Sequence, residues 1–115
     1  MRIALLEDDE YMSELIKLCL NGDGYDVQLF SHGKELVKSL GRESYDLLII
    51  DWVLPDIQGD EVLAWVREHI EWPVPVLFVT QRDSEDDIVH ALNAGADDYM
   101  PKPVSQQILL ARVKA

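Results

Sequence analysis

An open α/β domain built on a five-stranded parallel sheet is what the sequence predicts, and three observations predict it. Short apolar runs alternate five times with stretches of helical spacing, the pattern of βα units joined by right-handed crossovers. The best of these runs are continuously apolar, as expected for strands covered by helices on both faces. Four of them end in side chains that carry chemistry: Arg2–Leu6 runs into Glu7, Asp8 and Asp9, Leu47–Ile50 ends at Asp51, Pro75–Val79 ends at Thr80, and Asp97–Met100 leads to Lys102. In parallel strands these ends share one edge, and the carboxyl edge is where open α/β sheets place their ligands.

Taken in order, β1 (2–6) is the continuous run through Ile3-Ala4-Leu5-Leu6. In α1, Met12, Leu15, Ile16, Cys19 and Leu20 recur at helical spacing and form the expected inward stripe. Asn21-Gly22-Asp23-Gly24 then offers the left-handed geometry that ends a helix. β2 is read over 25–30. Ser31 is the expected N-cap of α2 (33–40), with Leu36, Val37 and Leu40 inward and Gly41 closing it. β3 (45–50) carries four consecutive large aliphatics. α3 (60–70) points Val62, Trp65, Val66 and Ile70 inward, and Trp72-Pro73 stops it. β4 covers 74–79. Ser84 or Asp83 caps α4, whose acidic first turn suits the helix dipole; Ile88, Val89 and Leu92 are its apolar positions and Gly95 its end. β5 (97–100) and α5 (105–115) complete the (βα)₅ pattern. The last helix carries no stop signal, so the chain is expected to continue beyond Ala115.

Composition narrows the function. At 115 residues and 48% apolar, the chain suits one domain with an ordinary core. Its net charge of −12, from 22 acidic against 10 basic residues, opposes direct binding to nucleic acid or to anionic membranes. No apolar stretch is long enough to span a bilayer. The N-terminal run turns acidic by Glu7, leaving no room for a signal-peptide core. The single Cys19 cannot pair within the chain, so a reducing cytoplasm is the expected compartment.

The strand ends point to phosphoryl chemistry. Helix capping accounts well for Asp9 and Glu10, less well for Glu7 and Asp8. Carboxylates forced together either raise one another's pKa or bind a cation, and Mg²⁺ takes one or two carboxylates together with phosphate oxygens and water. Asp51, followed by a loop with Pro55 and Gly59, is placed to attack phosphorus as a nucleophile. Lys102 would add positive charge, and the Thr80 hydroxyl could donate to a phosphoryl oxygen. Singly, Thr80 and Lys102 mean little; jointly placed at strand ends, they are specific.

Together, Leu5-Leu6-Glu7-Asp8-Asp9, Tyr45–Asp51, Leu54-Pro55-Asp56-Ile57-Gln58-Gly59, Val79-Thr80 and Gly95–Pro103 make the chain resemble a response-regulator receiver domain of two-component signalling over essentially all of residues 1–115. That resemblance implies a flavodoxin-like sheet in the order 2-1-3-4-5. It implies Asp51 as phosphoacceptor from a sensor histidine kinase, with Thr80 and Lys102 on the phosphoryl group. Mg²⁺ would be held by Glu7, Asp8, Asp51 and the Val53 carbonyl. Asp8 with Asp9 is the competing register. Tyr99 would change rotamer with Thr80, and the Lys102–Pro103 bond would be cis. The domain would be a regulatory phosphoacceptor rather than an enzyme with a separate substrate.

Receivers of this type that precede winged-helix domains dimerise through the α4–β5–α5 face when phosphorylated. Here Ile88 and Ile108 stand where a charged pair is usual, so an apolar contact is expected, with Asp97, Asp98 and Arg112 available for rim pairs. DNA binding would reside only in a C-terminal output domain beyond these residues. Gln81 and Val104 also depart from the family pattern, and Val53 and Arg82 flank the path of attacking water without being able to activate it, which implies slow self-dephosphorylation. Two rivals are a small Mg²⁺-dependent phosphohydrolase, which would want an acid where Val53 stands, and a stand-alone or phosphorylation-independent receiver serving as an interaction module.

Overall fold

The computed structural model describes residues 1–115. Five parallel strands form one sheet in the order β2–β1–β3–β4–β5. The strands are β1 Arg2–Leu6, β2 Asp26–Phe30, β3 Leu47–Ile50, β4 Val76–Thr80 and β5 Asp98–Pro101. The helices are α1 Glu10–Gly22, α2 Gly33–Leu40, α3 Gly59–His69, α4 Glu85–Asn93 and α5 Gln106–Lys114. All four ladders are parallel, pairing for example Leu6 with Ile50 and Thr80 with Pro101. The alternation in the sequence therefore reads correctly, with strand ends displaced by one or two residues.

Successive strand side chains point to opposite faces, and the core divides accordingly. Ala4, Leu6, Leu48, Ile50, Val76 and Phe78 face α2, α3 and α4, meeting Leu36, Leu40, Val62, Leu63, Val66 and Ala91. Ile3, Leu5, Leu47, Ile49, Leu77 and Val79 face α1 and α5, meeting Ile16, Leu20 and Leu109. Every residue of β1 after Arg2, and all of β3 and β4, is buried. This is why their sequences lack the polar alternation of a one-sided sheet.

Some apolar helix positions are less covered than their spacing suggests. Leu15, Val89 and Leu92 are between 42% and 47% exposed; Ser13, Leu63 and Ala91 are buried instead. Small residues such as Ser13 and Ala91 let a helix approach the sheet closely, which apolarity alone does not reveal. Ser84, not Asp83, caps α4, its hydroxyl accepting from Asp87 N at 3.1 Å. Ser31 does not cap α2: its hydroxyl bonds His32 and Glu35, and Asp56 supplies the capping oxygens. A carboxylate is the stronger acceptor for those amides.

One cation fixes how the far edge of the sheet begins. The Arg67 guanidinium donates to Gly95 O at 2.8 and 3.1 Å, to Val74 O at 2.7 Å and to Asp97 at 3.1 Å. Asp97 in turn accepts from Val76 N at 2.8 Å. Gly95 has φ 115° and packs directly on the Arg67 side chain, a conformation that excludes most other residues. α3, β4 and β5 are thereby tied at the sheet edge opposite the acidic strand ends.

Candidate functional site

At the carboxyl edge the sheet's hydrogen bonding runs one residue past β1, β3 and β5. Glu7 N donates to Phe30 O and Asp51 N to Leu6 O, both at 2.9 Å, and Lys102 N donates to Thr80 O at 2.8 Å. The backbones of Glu7, Asp51 and Lys102 are thus positioned by the sheet, not by a free loop. The side chains converge. Lys102 Nζ donates to Glu7 Oε1 and, at 3.1 Å, to Asp51 Oδ2. All three side chains are at most 9% exposed.

Burial, opposed by the hydrogen bond from Lys102 and reinforced by the negative charge of Asp51, pushes the Glu7 carboxyl up to about 7. Burial also works against the Lys102 ammonium, but Glu7 and Asp51 outweigh it and hold its pKa above the ordinary value. One cation between two buried carboxylates leaves an excess of negative charge, the condition under which a further cation is favoured.

Glu7, Asp8 and Asp51 each place a ligand oxygen within 4.8 Å of the others. Glu7 and Asp51 are buried and Asp8 is exposed, so the group opens to solvent on one side. Three hard oxygen donors with an open side suit Mg²⁺. The acidic triplet is divided by geometry. Asp9 turns away to cap α1, accepting from Met12 N at 3.2 Å, and its own amide donates to Glu7 Oε2.

Thr80 is fully buried, and its hydroxyl oxygen accepts from Arg82 N at 3.4 Å. Tyr99 is buried against Phe78 and donates from its hydroxyl to Arg82 O at 2.6 Å. Burial pushes the Tyr99 phenol up to about 12, so it serves as a donor at neutral pH. Arg82 therefore touches both switch candidates through its backbone. Its side chain lies 4.1 Å over the Trp52 ring and is bidentate to Asp87 on α4, at 2.8 and 3.1 Å. Trp52, next to Asp51, is also stacked on Phe78 and on His90 of α4. Val53 is exposed, with its amide 3.3 Å from Asp51 Oδ1. The Lys102–Pro103 peptide is cis.

The five surface positions singled out on α4, β5 and α5 fare differently. Ile108 is 49% exposed. Ile88 is half-buried and packs against the core. Asp98 and Arg112 pair with each other at 2.9 and 3.0 Å, and Asp97 is held by Val76 N and Arg67. Three contributors escaped the sequence reading in their actual roles: Asp56, Arg67 and the Arg82 side chain. Only the Pro55-Asp56 turn left a trace of its own, because each of the three acts on a residue distant in sequence.

Sheet order and clustered strand-end acids together define a receiver-type α/β signalling domain. The chain belongs to the response regulator receiver domain family, whose sequence pattern matches residues 3–114. It is 40% identical over 114 residues to the transcriptional regulatory protein TrcR of Mycobacterium tuberculosis, covering 99% of this chain and 44% of that protein. It is 39% identical to the phosphate regulon transcriptional regulatory protein PhoB of Rhizobium meliloti, covering 99% and 51%. The chain spans about half the length of the curated relatives it matches.

Among solved structures, the Francisella response regulator 1452 receiver domain superposes with a TM-score of 0.93 at 29% identity, covering 98% of this chain and 93% of that one. The BeF3-activated N-terminal receiver domain of Klebsiella pneumoniae RstA gives 0.92 at 30% identity, covering 99% and 96%. The chain is a receiver domain of two-component systems, and the relatives named are transcriptional regulators. No helix is long and apolar enough to cross a membrane.

Proposed function

We propose that the domain accepts a phosphoryl group from a sensor histidine kinase onto Asp51 in a Mg²⁺-dependent reaction. The observation that carries this reading is the meeting of Glu7, Asp8, Asp51 and Lys102 at one edge of the sheet. Glu7, Asp8 and Asp51 are the residues that would hold the ion, with the Val53 carbonyl as a further ligand. Bound there, Mg²⁺ would offset charge on the phosphoryl oxygens.

The transfer itself is a displacement at phosphorus. An Asp51 carboxylate oxygen forms the new P–O bond. The P–N bond to the donor imidazole breaks, and its electron pair leaves with the ring nitrogen. Such a reaction needs alignment and charge neutralisation more than acid–base help. Lys102 supplies a fixed ammonium already 3.1 Å from Asp51. The buried Thr80 hydroxyl supplies a donor once it turns from Arg82 N, and Tyr99 follows Thr80 because both are tied to Arg82. Arg82 is bound to α4 through Asp87, so a shift at Asp51 has a path to the α4–β5–α5 face. That face would then pair with a second copy, and an output domain C-terminal to residue 115 would act on DNA. The lone Cys19 accords with a reducing cytoplasm.

Incubation with acetyl phosphate and Mg²⁺, followed by intact-mass measurement, tests the reading. One phosphoryl group is expected on the parent and none on Asp51→Asn or in the presence of EDTA. Equal labelling of Asp51→Asn would contradict it.

A further inference from the structure

α2 starts on a carboxylate remote in sequence. Its N-cap residue, His32, makes no side-chain cap bond. The first two amides, Gly33 and Lys34, donate to Oδ1 and Oδ2 of Asp56, each at 2.9 Å. The same helix end is pressed on the loop that carries Asp56. A Cβ at Gly33 would stand 2.6 Å from Ile57 Cγ1 and 2.9 Å from Val62, so only glycine permits this approach.

Asp56 lies midway along the segment that leaves Asp51, passes Val53 and re-enters structure at Gly59. Trp52 at its start packs on Phe78 of β4 and on His90 of α4, but the segment's other hydrogen bonds are internal or lead into α3. Gly59 N donates to Trp52 O at 2.7 Å, and Gln58 Nε2 to Leu54 O at 3.2 Å. A Cβ on Gly59 would collide with the Asp51 carbonyl. These contacts fix the loop's shape. Between residues 52 and 58, only Asp56 hydrogen-bonds an element other than α3. Asp51 itself is held by the sheet through its amide, so the anchor matters for the backbone beyond it, which carries the Val53 carbonyl. Two charge-assisted amide bonds are among the stronger anchors a short side chain can make.

We propose that Asp56 is a positioning residue for the metal cluster, clamping the segment that follows Asp51 and carries Val53 to the start of α2. It touches neither the cluster nor a phosphoryl group; it acts through the backbone. The proposal rests on the Mg²⁺ reading above. A helix cap alone predicts a different result: truncating it would lower the melting temperature yet leave the folded protein's metal affinity unchanged.

Isothermal titration of Mg²⁺ into the parent, Asp56→Ala, Asp56→Asn and Ser31→Ala decides between them, at a temperature where circular dichroism shows each folded. Affinity is expected to fall about tenfold in Asp56→Ala, the low end for groups that act on a metal site from outside it. Asp56→Asn keeps one acceptor and should recover part of the loss, while Ser31→Ala should match the parent. Parent-like affinity in folded Asp56→Ala overturns the proposal. If that variant does not fold, Asp56→Asn decides alone: weakened binding supports the clamp and parent affinity overturns it. A parent that binds no Mg²⁺ at millimolar concentration would instead remove the metal reading. Amide exchange then judges the clamp by itself: faster exchange across residues 53–58 in Asp56→Asn supports it, and unchanged exchange overturns it.

Discussion

Lys102 shows how much rests on single side chains here. Its ammonium is the only positive charge bonded to the buried carboxylates of Glu7 and Asp51. Removing one partner of a buried ionic group leaves the others uncompensated, at a cost of about 3 kcal/mol. Lys102→Ala is therefore expected to lose about that much stability without Mg²⁺ by chemical denaturation, and saturating Mg²⁺ should restore much of it. Equal losses with and without the ion would show that the cation site and the Lys102 site are separate. Asp56 gives a pH signature. Burial works against its ionisation, but the Lys34 and Gly33 amides hold its carboxyl down at about 2. A depressed acid stabilises the fold above its unfolded pKa, near 3.9, and loses that contribution as pH falls through the folded value. The melting-temperature gap between parent and Asp56→Asn should thus be full at pH 6 and shrink between about pH 4 and 2. A constant gap would mean that charge is not what stabilises the cap.

Among the elements, α3 and α4 are held to the sheet by arginines more than their apolar stripes suggest. Arg67 satisfies the carbonyls of Val74 and Gly95, which would otherwise lack that partner. Arg67→Met keeps most of the stem and removes the donors, so the expected loss is about 2–3 kcal/mol. A loss below about 0.5 kcal/mol, the range of surface substitutions, would show that water replaces the guanidinium without penalty. α4 buries only Ala91 fully and leans on Trp52 through His90 and, by way of Asp87, through Arg82. Thin packing of this kind marks an element able to shift. Arg82→Ala keeps the backbone ties to Thr80 and Tyr99 but frees α4. Hydrogen exchange should then quicken along residues 85–93 and leave β3 unchanged; unaltered exchange in α4 would remove the side chain from the path.

For the whole molecule, the net charge of −12 sets the terms of association. Two such domains repel, and salt screens that repulsion, so any pairing through α4–β5–α5 should strengthen with ionic strength if its contact is apolar. Ile108 is the cleaner probe of that face, since Ile88 also packs on the core. Sedimentation of phosphorylated parent and Ile108→Asp should show fewer dimers in the variant; equal fractions would place the contact elsewhere.

Much of this architecture was legible in the residues. Continuous apolar runs such as Leu47–Ile50, alternating with helical spacing, read as strands buried on both faces, and their polar ends brought Glu7, Asp8, Asp51, Thr80 and Lys102 to one edge. What escaped was tertiary. Asp56 caps a helix 22 and 23 residues away, Arg67 bonds a carbonyl 28 residues on, and Asp97 serves the backbone of β4. Local spacing holds no record of such partners. Val89 and Leu92 misled for a related reason, because periodicity finds the apolar face but not whether anything covers it.

The proposed signalling role turns on which atom receives the phosphoryl group. After acetyl phosphate and Mg²⁺ treatment, borohydride reduction converts an aspartyl phosphate to homoserine, and peptide mass mapping locates it. Homoserine at position 51 alone is the predicted result. Homoserine at Asp8, Asp9 or any other acid, with Asp51 intact, would contradict it.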